Sequence, residues 1–443
     1  RKQKTFFRMK NVLIVGSGAR EVAIARKVSD SKIENSLFCV SPDSNPQISS
    51  LCVDYFISPL DQVEKIVSYA SLKRIDLVIV GPENPLALGL VNALDAAGIF
   101  SVGPKKEVAL IETSKAFARK IIDLCDKNKN PKRKEFHNTS SVLDFINELG
   151  ENYVIKYDGL MGGKGVKISG EHLASPEEGL DYANDIIRGG GSFLIEEKLV
   201  GEEFSLMSFC DGKTCKHMPL VQDHKRAFEG DRGPNTGGMG TYSFSDHGLP
   251  FLKESHISEA QKTNELVAKE LHKNTGTPFV GILYGGFMLT RQGIKVIEYN
   301  ARFGDPEAMN VLSILKTDFL EICLSIMNES LSGLDVQFDS LSTVCKYAVP
   351  LGYPNKPEKG FLVGCDVDNK NLYLASVKSE GKELRAGGSR TAAYVGKSQH
   401  IKEAEKLSEE GIRGVSGNLF HRKDIGTEEL IESRVKRMQE ILG

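Results

Sequence analysis

The 443-residue chain has no tryptophan, only 16 prolines and eight cysteines, and almost no excess of charge of either sign. Each shortage removes a class of protein. Proline at about 4% against a usual ~5% excludes a Pro-rich low-complexity chain. The cysteines at positions 39, 52, 125, 210, 215, 323, 345 and 365 form no CxxC pair and no paired zinc spacing, and most lie in apolar stretches. They read as buried reduced thiols, which places the protein in the cytoplasm. With 57 basic and 59 acidic residues the net charge is −2, which gives no global attraction to nucleic acid or to an anionic membrane, so any anion site must be local. No apolar run approaches the roughly 20 residues that span a bilayer. The basic opening RKQKTFFRMK lacks the apolar stretch and cleavage site of a secretory signal, and residues 1–8 read as an extension upstream of the natural start. There is no G-x-S-x-G elbow and no activated Ser-His-Asp or Cys-His set. Catalysis must therefore work through positioning and electrostatics rather than a covalent nucleophile.

What is present points to a multidomain enzyme. The length implies about three domains, and 40% hydrophobic with 26% charged residues describes a globular chain. Glycine is the one surplus: 43 residues, about 10% against a usual ~7%. From Asn11 to Pro104 short apolar runs (NVLIVG, SLFCV, DLVIVG, FSVG) alternate with helical stretches (REVAIARKVSD, DQVEKIVSYA, PLALGLVNALDAAG). That punctuation predicts a doubly wound parallel sheet with its ligand edge at the carboxyl ends of the strands. Turns Gly16-Ser17-Gly18 and Gly81-Pro82-Glu83 lie at that edge, and a phosphorylated small molecule fits between them.

From about Ser114 the character changes. SKAFARKIIDLC reads as a helix, NYVIKYDG as a strand, and SFLIEEKLVGEEFSLMSFCDG as two or three strands of an antiparallel α+β unit. FVGILYGGFMLTRQGIKVIEYNARFG reads as a hairpin turning at Arg291-Gln292-Gly293. From about Gly333, STVCKYAVPL, YLASVKS and TAAYVG strands with an IKEAEKLSEEGI helix form a small mixed domain.

Several motifs carry chemistry. Gly16-Ser17-Gly18-Ala19-Arg20-Glu21 begins like a dinucleotide fingerprint, but Glu21 replaces the third glycine, where a bulky acid crowds the helix and repels a pyrophosphate. A backbone-NH site for a smaller polar ligand and a purely structural turn both remain open. In Lys156-Tyr157-Asp158-Gly159-Leu160-Met161-Gly162-Gly163-Lys164-Gly165 the glycines let backbone NH groups fold over phosphate oxygens, and two lysines add charge; the Walker A order is absent. Glu298 and Asn300, at i and i+2 on a strand end, present hard oxygen donors on one face and suit Mg²⁺ held between protein and nucleotide phosphates. Arg302 follows at once, in Ala301-Arg302-Phe303-Gly304-Asp305-Pro306-Glu307. Gln222–Arg226 and Gly233–Gly240 read as a polar loop in a β-rich core, placed to contact ligand, with His224 in a structural or positioning role.

In this order the pieces resemble the ATP-grasp ligases, and among them the phosphoribosylamine-glycine ligase family. The matching stretches are Val15-Gly16 to Glu21, GPENPLALG, ETSKAFARK, VIKYDGLMGGKGV, IEEKLVGEE, QDHKRAFEGDRGPNTGGMG, IEYNARFGDPEAMN and FHRKDIG, from about Asn11 to Gly426. The resemblance implies an α/β and α+β multidomain fold. An N-terminal doubly wound substrate-binding domain (9–112) precedes an ATP-grasp domain (113–330, lid about 125–200) and a C-terminal mixed α/β domain (331–443). It implies that ATP, with Mg²⁺ or Mn²⁺, phosphorylates glycine to an acyl phosphate that the amine of 5-phosphoribosylamine attacks, in purine biosynthesis. By motif position Lys115 and Lys156 meet the ATP phosphates, and Gly162, Gly163, Lys164 and Gly165 belong to a lid loop that excludes water. Glu196 and Glu197 meet adenine and Glu203 ribose; Glu298 and Asn300 ligate metal; Arg302 neutralises the transferred phosphoryl group. Asp223, Lys225 and Asn235 shape the acceptor site with Asp305, and Gly18, Arg20 and Glu83 approach it from the first domain. The expected partners are small molecules, with no nucleic acid and no membrane, and the expected assembly is a monomer or weak homodimer.

The chain departs from the family pattern twice. Val22 stands where the family usually has histidine, which removes a polar contact, and Gly286 offers no side chain where many ATP-grasp enzymes place a further oxygen ligand, which weakens a second metal site. The alternatives are another ATP-grasp carboxylate-amine ligase or carboxylase, and a non-catalytic nucleotide sensor.

Overall fold

The computed structural model describes residues 10–150, 152–161 and 165–443. Its first five strands are β1 (Lys10–Val15), β2 (Asn35–Ser41), β3 (Asp54–Ile57), β4 (Leu77–Val80) and β5 (Phe100–Val102). They form one parallel sheet in the order β3-β2-β1-β4-β5. Val12 to Val15 and Leu77 to Val80 are buried throughout, as a parallel sheet covered on both faces requires. This is the doubly wound sheet expected. Its strand order reverses between β1 and β4, so the turns after them flank the crevice where such sheets take ligands. One element differs: PLALGLVNALDAAG is not a single helix but two, Glu83–Ala87 and Leu90–Ala96, broken at Gly89, whose φ of 83° suits glycine.

Strands β6 (Arg133–Phe136), β7 (Tyr153–Tyr157), β8 (Val166–Ile168) and β9 (Phe193–Glu197) form an antiparallel sheet in the order β6-β9-β7-β8. With two helices it closes a separate hydrophobic core built on Phe136, Phe145, Ile155 and Phe193. The next strand, β10 (Gly201–Asp211), belongs to another sheet, so SFLIEEKLVGEEFSLMSFCDG is two strands that part company at the Lys198–Val200 link.

Then come β11 (Cys215–His217), β12 (Gln222–Asp223), β13 (Arg226–Phe228), β14 (Arg232–Asn235), β15 (Gly240–Ser243), β16 (Val280–Thr290) and β17 (Gly293–Asn300). The central antiparallel sheet has the order β11-β10-β16-β17. The polar segment 222–240 is therefore not a loop: β13 and β14 form a hairpin, and β12 and β15 leave for the last sheet. There they join β18 (Ser342–Pro350), β19 (Leu372–Leu374) and β22 (Ala392–Ser398) in the order β12-β15-β18-β22-β19, beside a small hairpin of β20 (Val377–Glu380) and β21 (Glu383–Ala386). That sheet thus draws two strands from the span read as the central domain. It welds the acceptor-side motif to the C-terminal region.

The first glycine turn is settled by Glu21. Its carboxylate accepts from the Gly18 amide at 2.6 Å and pairs with Arg20 Nε at 2.6 Å, closing the N-terminus of the helix Ala19–Ser29. The bulky acid fills the space between the β1 and β4 turns instead of crowding the helix. Val22 is fully buried in the core of this domain. A Cβ at Gly81 would lie 2.6 Å from Glu21 Cδ and 2.7 Å from its Cγ. Gly81→Ala is accordingly expected to lower stability by about 1–3 kcal/mol, read as a reduced urea midpoint, while Gly333→Ala, at a position with open space around it, leaves the midpoint unchanged.

Candidate active site

The end of β17 places Glu298 and Asn300 on one face and Tyr299 on the other, where its hydroxyl donates to Asn264 Oδ1 at 2.9 Å. Glu298 Oε1 lies 3.6 Å from Lys225 Nζ, which is also 3.4 Å from Glu203 Oε2. Lys225, with Lys156, Lys115 and Arg302 behind it, holds the Glu298 carboxyl down to about 2 against its burial. In return Glu203 and Glu298 hold the Lys225 ammonium above its ordinary range. Gly286 is the register partner of Glu298, and a Cβ there would come 3.2 Å from Glu298 Cγ. Its missing side chain makes room for the acid.

Glu298 and Asn300 supply hard oxygen donors, and among the described residues no three His, Cys, Asp or Glu side chains gather into a metal-holding group. The donor set therefore fits Mg²⁺ or Mn²⁺ shared with phosphate oxygens, not an all-protein cage.

Arg302 is buried between two carboxylates. Its NH2 lies 2.9 Å from Glu112 Oε1 and its Nε 3.4 Å from Glu83 Oε2, while NH1 donates to the Phe303 carbonyl at 3.1 Å. The other oxygen of Glu112 accepts from the Ala301 amide at 2.7 Å. Burial works against the guanidinium, but Glu112 and Glu83 more than offset it and raise it above its already high value. Arg20, from the first domain, donates to the same Phe303 carbonyl at 3.1 Å. Glu83 thus reaches Arg302 directly, and Arg20 shares its Phe303 carbonyl. Glu112 was missed, although it lies in ETSKAFARK; an acid on the face of Val108 and Ile111, in an otherwise buried row, was the available signal.

The two lysines differ. Ser114 caps the helix Lys115–Asp126 through the Phe117 amide, and Asp158 Oδ1 takes the Lys115 amide at 2.5 Å. The Lys115 ammonium donates to the Gly159 carbonyl at 2.8 Å, and burial lowers its pKa. Lys156 Nζ instead pairs with Glu196 Oε2 at 2.7 Å. Arg119 grips the same carboxylate through Nε at 2.6 Å and NH2 at 2.8 Å, and also donates to the Val296 and Ile297 carbonyls of β17, each at 2.8 Å. Against burial, Arg119 and Lys156 hold Glu196 at about 2. The Glu196 side chain is thereby buried and paired with two cations. Glu197 is half-buried and accepts from the Lys132 amide at 2.8 Å. The Gly165 carbonyl accepts from the Tyr157 amide at 2.9 Å. Gly162, Gly163 and Lys164 lie outside the described residues.

On the acceptor side, Asp223 Oδ1 accepts from the His224 amide at 2.7 Å. Burial first, then Glu307, pushes the Asp223 carboxyl well above the usual carboxylate range. His224 is buried with Nδ1 3.0 Å from the Gly240 carbonyl, and burial pushes it well down, so it is a neutral structural ring. Asp305 accepts from the Tyr347 hydroxyl at 2.6 Å and lies 3.4 Å from Arg390 NH2. Arg390 NH1 also donates to the carbonyls of Gly237, Gly238 and Asp305 at 2.9–3.0 Å, and its guanidinium stacks 4.4 Å from the Tyr347 ring centre. Asp305, Tyr347 and Arg390 line a cavity of about 240 Å³ with Gly18, Asp43 and Lys378. Asn235, by contrast, pairs with Arg226 in the β13–β14 hairpin and does not line it. Arg390, Tyr347 and Lys378 escaped the sequence reading; Gly387-Gly388-Ser389-Arg390, a glycine turn and cation ahead of a strand, was the signal.

Comparisons with known proteins agree with this arrangement. The phosphoribosylglycinamide synthetase N domain matches residues 10–112, its ATP-grasp (A) domain residues 113–308 and its C domain residues 343–428. The phosphoribosylamine–glycine ligase of Methanosarcina acetivorans is 44% identical over 434 residues, covering 98% of each chain. That of Pyrococcus furiosus is 44% identical over 443 residues, again covering 98% of each. The crystal structure of phosphoribosylamine–glycine ligase from Thermotoga maritima matches with a TM-score of 0.78 at 27% identity, over 94% of this chain and 99% of that one. Biotin carboxylase from Campylobacter jejuni, at 13% identity and a TM-score of 0.71 over 98% and 96% of the two chains, shares the fold alone.

The Glu196 cluster has a pH signature. The folded carboxyl, at about 2, lies below its ordinary value of 4.5, so its stabilisation is present above about 4.5 and fades as pH falls toward 2. Glu196→Gln is expected to cost about 3–5 kcal/mol at pH 7. Urea titrations of both proteins at neutral pH and near pH 3.5 check this: the gap narrows at the lower pH, and a pH-independent gap would separate the effect from ionisation.

Proposed function

The chain belongs to the phosphoribosylglycinamide synthetase family, and on that premise we propose how its residues divide the work of joining glycine to 5-phosphoribosylamine. The protein is an ATP-dependent carbon–nitrogen ligase of purine biosynthesis. ATP phosphorylates the glycine carboxylate, the amine of 5-phosphoribosylamine attacks the glycyl phosphate, and glycinamide ribonucleotide, ADP and phosphate leave. The observation that carries our assignment is the Glu298 carboxylate on an oxygen-donor strand, 3.6 Å from Lys225 and held down as well by the charges of Lys156, Lys115 and Arg302 farther off.

Lys115 binds the nucleotide phosphates, because its buried ammonium meets a carbonyl rather than a carboxylate. Lys156 stands beside it, fixed by Glu196. Glu298 and Asn300 hold Mg²⁺ or Mn²⁺, which when bound neutralises phosphate charge. Arg302, locked by Glu112 and Glu83, stabilises charge that grows on the transferred phosphoryl group. Gly162, Gly163, Lys164 and Gly165 close over the cleft and keep water from the acyl phosphate. Glu197 lies at the adenine end, and Glu203 takes the ribose hydroxyls, exchanging its contact with Lys225. Asp223 and Lys225 orient the reacting amine and carboxylate. Gly18, Asp305, Arg390 and Lys378 receive the phosphoribosyl group in the cavity between the first and last sheets, with Arg20, Glu83 and Asn235 behind. The three-domain division at 112 and 330 is retained as the functional one.

We also infer a cytoplasmic monomer or weak homodimer without nucleic-acid or membrane partners. All eight cysteines are free, and no helix among the described residues is long and apolar enough to cross a membrane. A non-catalytic sensor is disfavoured, because a sensor has no use for a clamped Arg302.

The assay is ADP release from ATP, Mg²⁺, glycine and freshly made 5-phosphoribosylamine. Arg302→Ala is expected to reduce kcat by about 10²–10³-fold with the KM for ATP changed only a few-fold. Equal losses in both would show that Arg302 merely holds the nucleotide. Glu298→Gln is expected to raise the Mg²⁺ concentration needed for half-maximal rate, and an unaltered requirement removes Glu298 from the metal site.

A further inference from the structure

Cys210 and Cys215 are direct register partners across β10 and β11, which are joined by the short turn 212–214. Their sulfurs stand 3.3 Å apart. Facing residues on antiparallel strands have Cα atoms about 4.5–5.5 Å apart, inside the roughly 4.4–6.8 Å window in which a disulfide closes. β11 is the outer strand of the central sheet, and Cys215 is half-buried there while Cys210 is buried. The next facing pair, Ser208 and His217, shares their side of the sheet. Ser208 Oγ bonds His217 Nδ1 at 2.8 Å and accepts from Asn264 at 3.0 Å, and Asn264 in turn accepts from Tyr299. The thiols therefore sit on the face opposite Glu298 and Asn300, outside the machinery assigned above.

We propose that Cys210 and Cys215 form an oxidisable dithiol that a peroxide converts to a reversible intrachain disulfide. The more accessible Cys215 reacts first: its thiolate attacks a peroxide oxygen, the O–O bond breaks, and a sulfenic acid forms as hydroxide leaves and takes up a proton. The Cys210 sulfur then attacks the Cys215 sulfur, the S–S bond forms, the S–O bond breaks and water departs. Two thiols lose two electrons to hydrogen peroxide, and the balance is one disulfide and two waters. Cys210 is the more buried of the two, and the adjacent Cys215 and burial hold its thiol well above its usual range, so it is not the first to meet peroxide. A dithiol reductant restores the pair.

The test treats the full-length enzyme with millimolar hydrogen peroxide, alkylates it under denaturing conditions and counts labels by intact mass. The wild type is expected to fall from eight labels to six and to return to eight after dithiothreitol. Cys215→Ser is expected to keep all its remaining labels, whereas Cys365→Ser, altered elsewhere, still loses two. In Cys210→Ser a dimedone adduct on Cys215 is expected, because the sulfenic acid has no resolving partner. The proposal falls if the wild type keeps eight labels, if Cys215→Ser also loses two, or if Cys215 goes irreversibly to the sulfinic acid while Cys210 is present.

Discussion

A guanidinium taken out of water must be met by carboxylates, and the architecture of this site follows from where Arg302 finds them. Glu83 comes from the turn after β4 in the first domain, and Glu112 from the helix that leads out of it. Arg302 itself hangs off the end of β17. Three pieces of chain far apart in sequence are thus fixed relative to one another by charge, and Arg20 adds a further tie at the Phe303 carbonyl. A cation held this way loses little freedom when a phosphoryl group arrives. That is the condition under which electrostatic stabilisation favours the transition state over the ground state.

The remaining cations divide by whether their charge is already answered. Glu196 is gripped by Arg119 and Lys156, and Arg119 also donates to the β17 backbone, so this cluster is closed and braces β9 against β17. Lys115 is different: its ammonium has a carbonyl for a partner and burial lowers its pKa. A buried ammonium in that state gains more from an incoming phosphate than one that must first release a carboxylate. Lys115 and Lys156 thus start from different states, one ammonium held by a carbonyl and the other by a carboxylate.

The parts legible in the sequence were those whose determinants are local. LVIV and VLIV runs announce buried parallel strands, alternation carries Glu298 and Asn300 to one face, and Arg291-Gln292 turns a hairpin. What escaped depends on distant partners. β15 pairs with β18 about a hundred residues later, which no local pattern in 222–243 reveals. The ion pair that takes up the Glu196 carboxylate comes from Arg119, 77 positions away. Arg390 became a site residue only when the last sheet carried it to Asp305 and Tyr347. Gly89 was readable as a helix breaker in principle, but helical apolar spacing on both sides hid it.

The glycine surplus gains a different meaning from these contacts. Space cleared for phosphates was the natural reading, yet at several of these glycines the chain's own acids stand close to that space. Glu21 packs against Gly81, Asp223 Oδ1 would lie 2.9 Å from a Cβ at Gly238, Glu298 Cγ 3.2 Å from one at Gly286, and Glu307 Cδ 2.8 Å from one at Gly304. A carboxylate can be buried beside a strand only if the facing residue yields its side-chain volume. Once buried, it holds an arginine or lysine in place, as Glu298 does Lys225 and Glu21 does Arg20. The glycines therefore act at one remove: they admit the acids, the acids fix the cations, and the cations create the local anion sites that a chain of net charge −2 lacks as a whole.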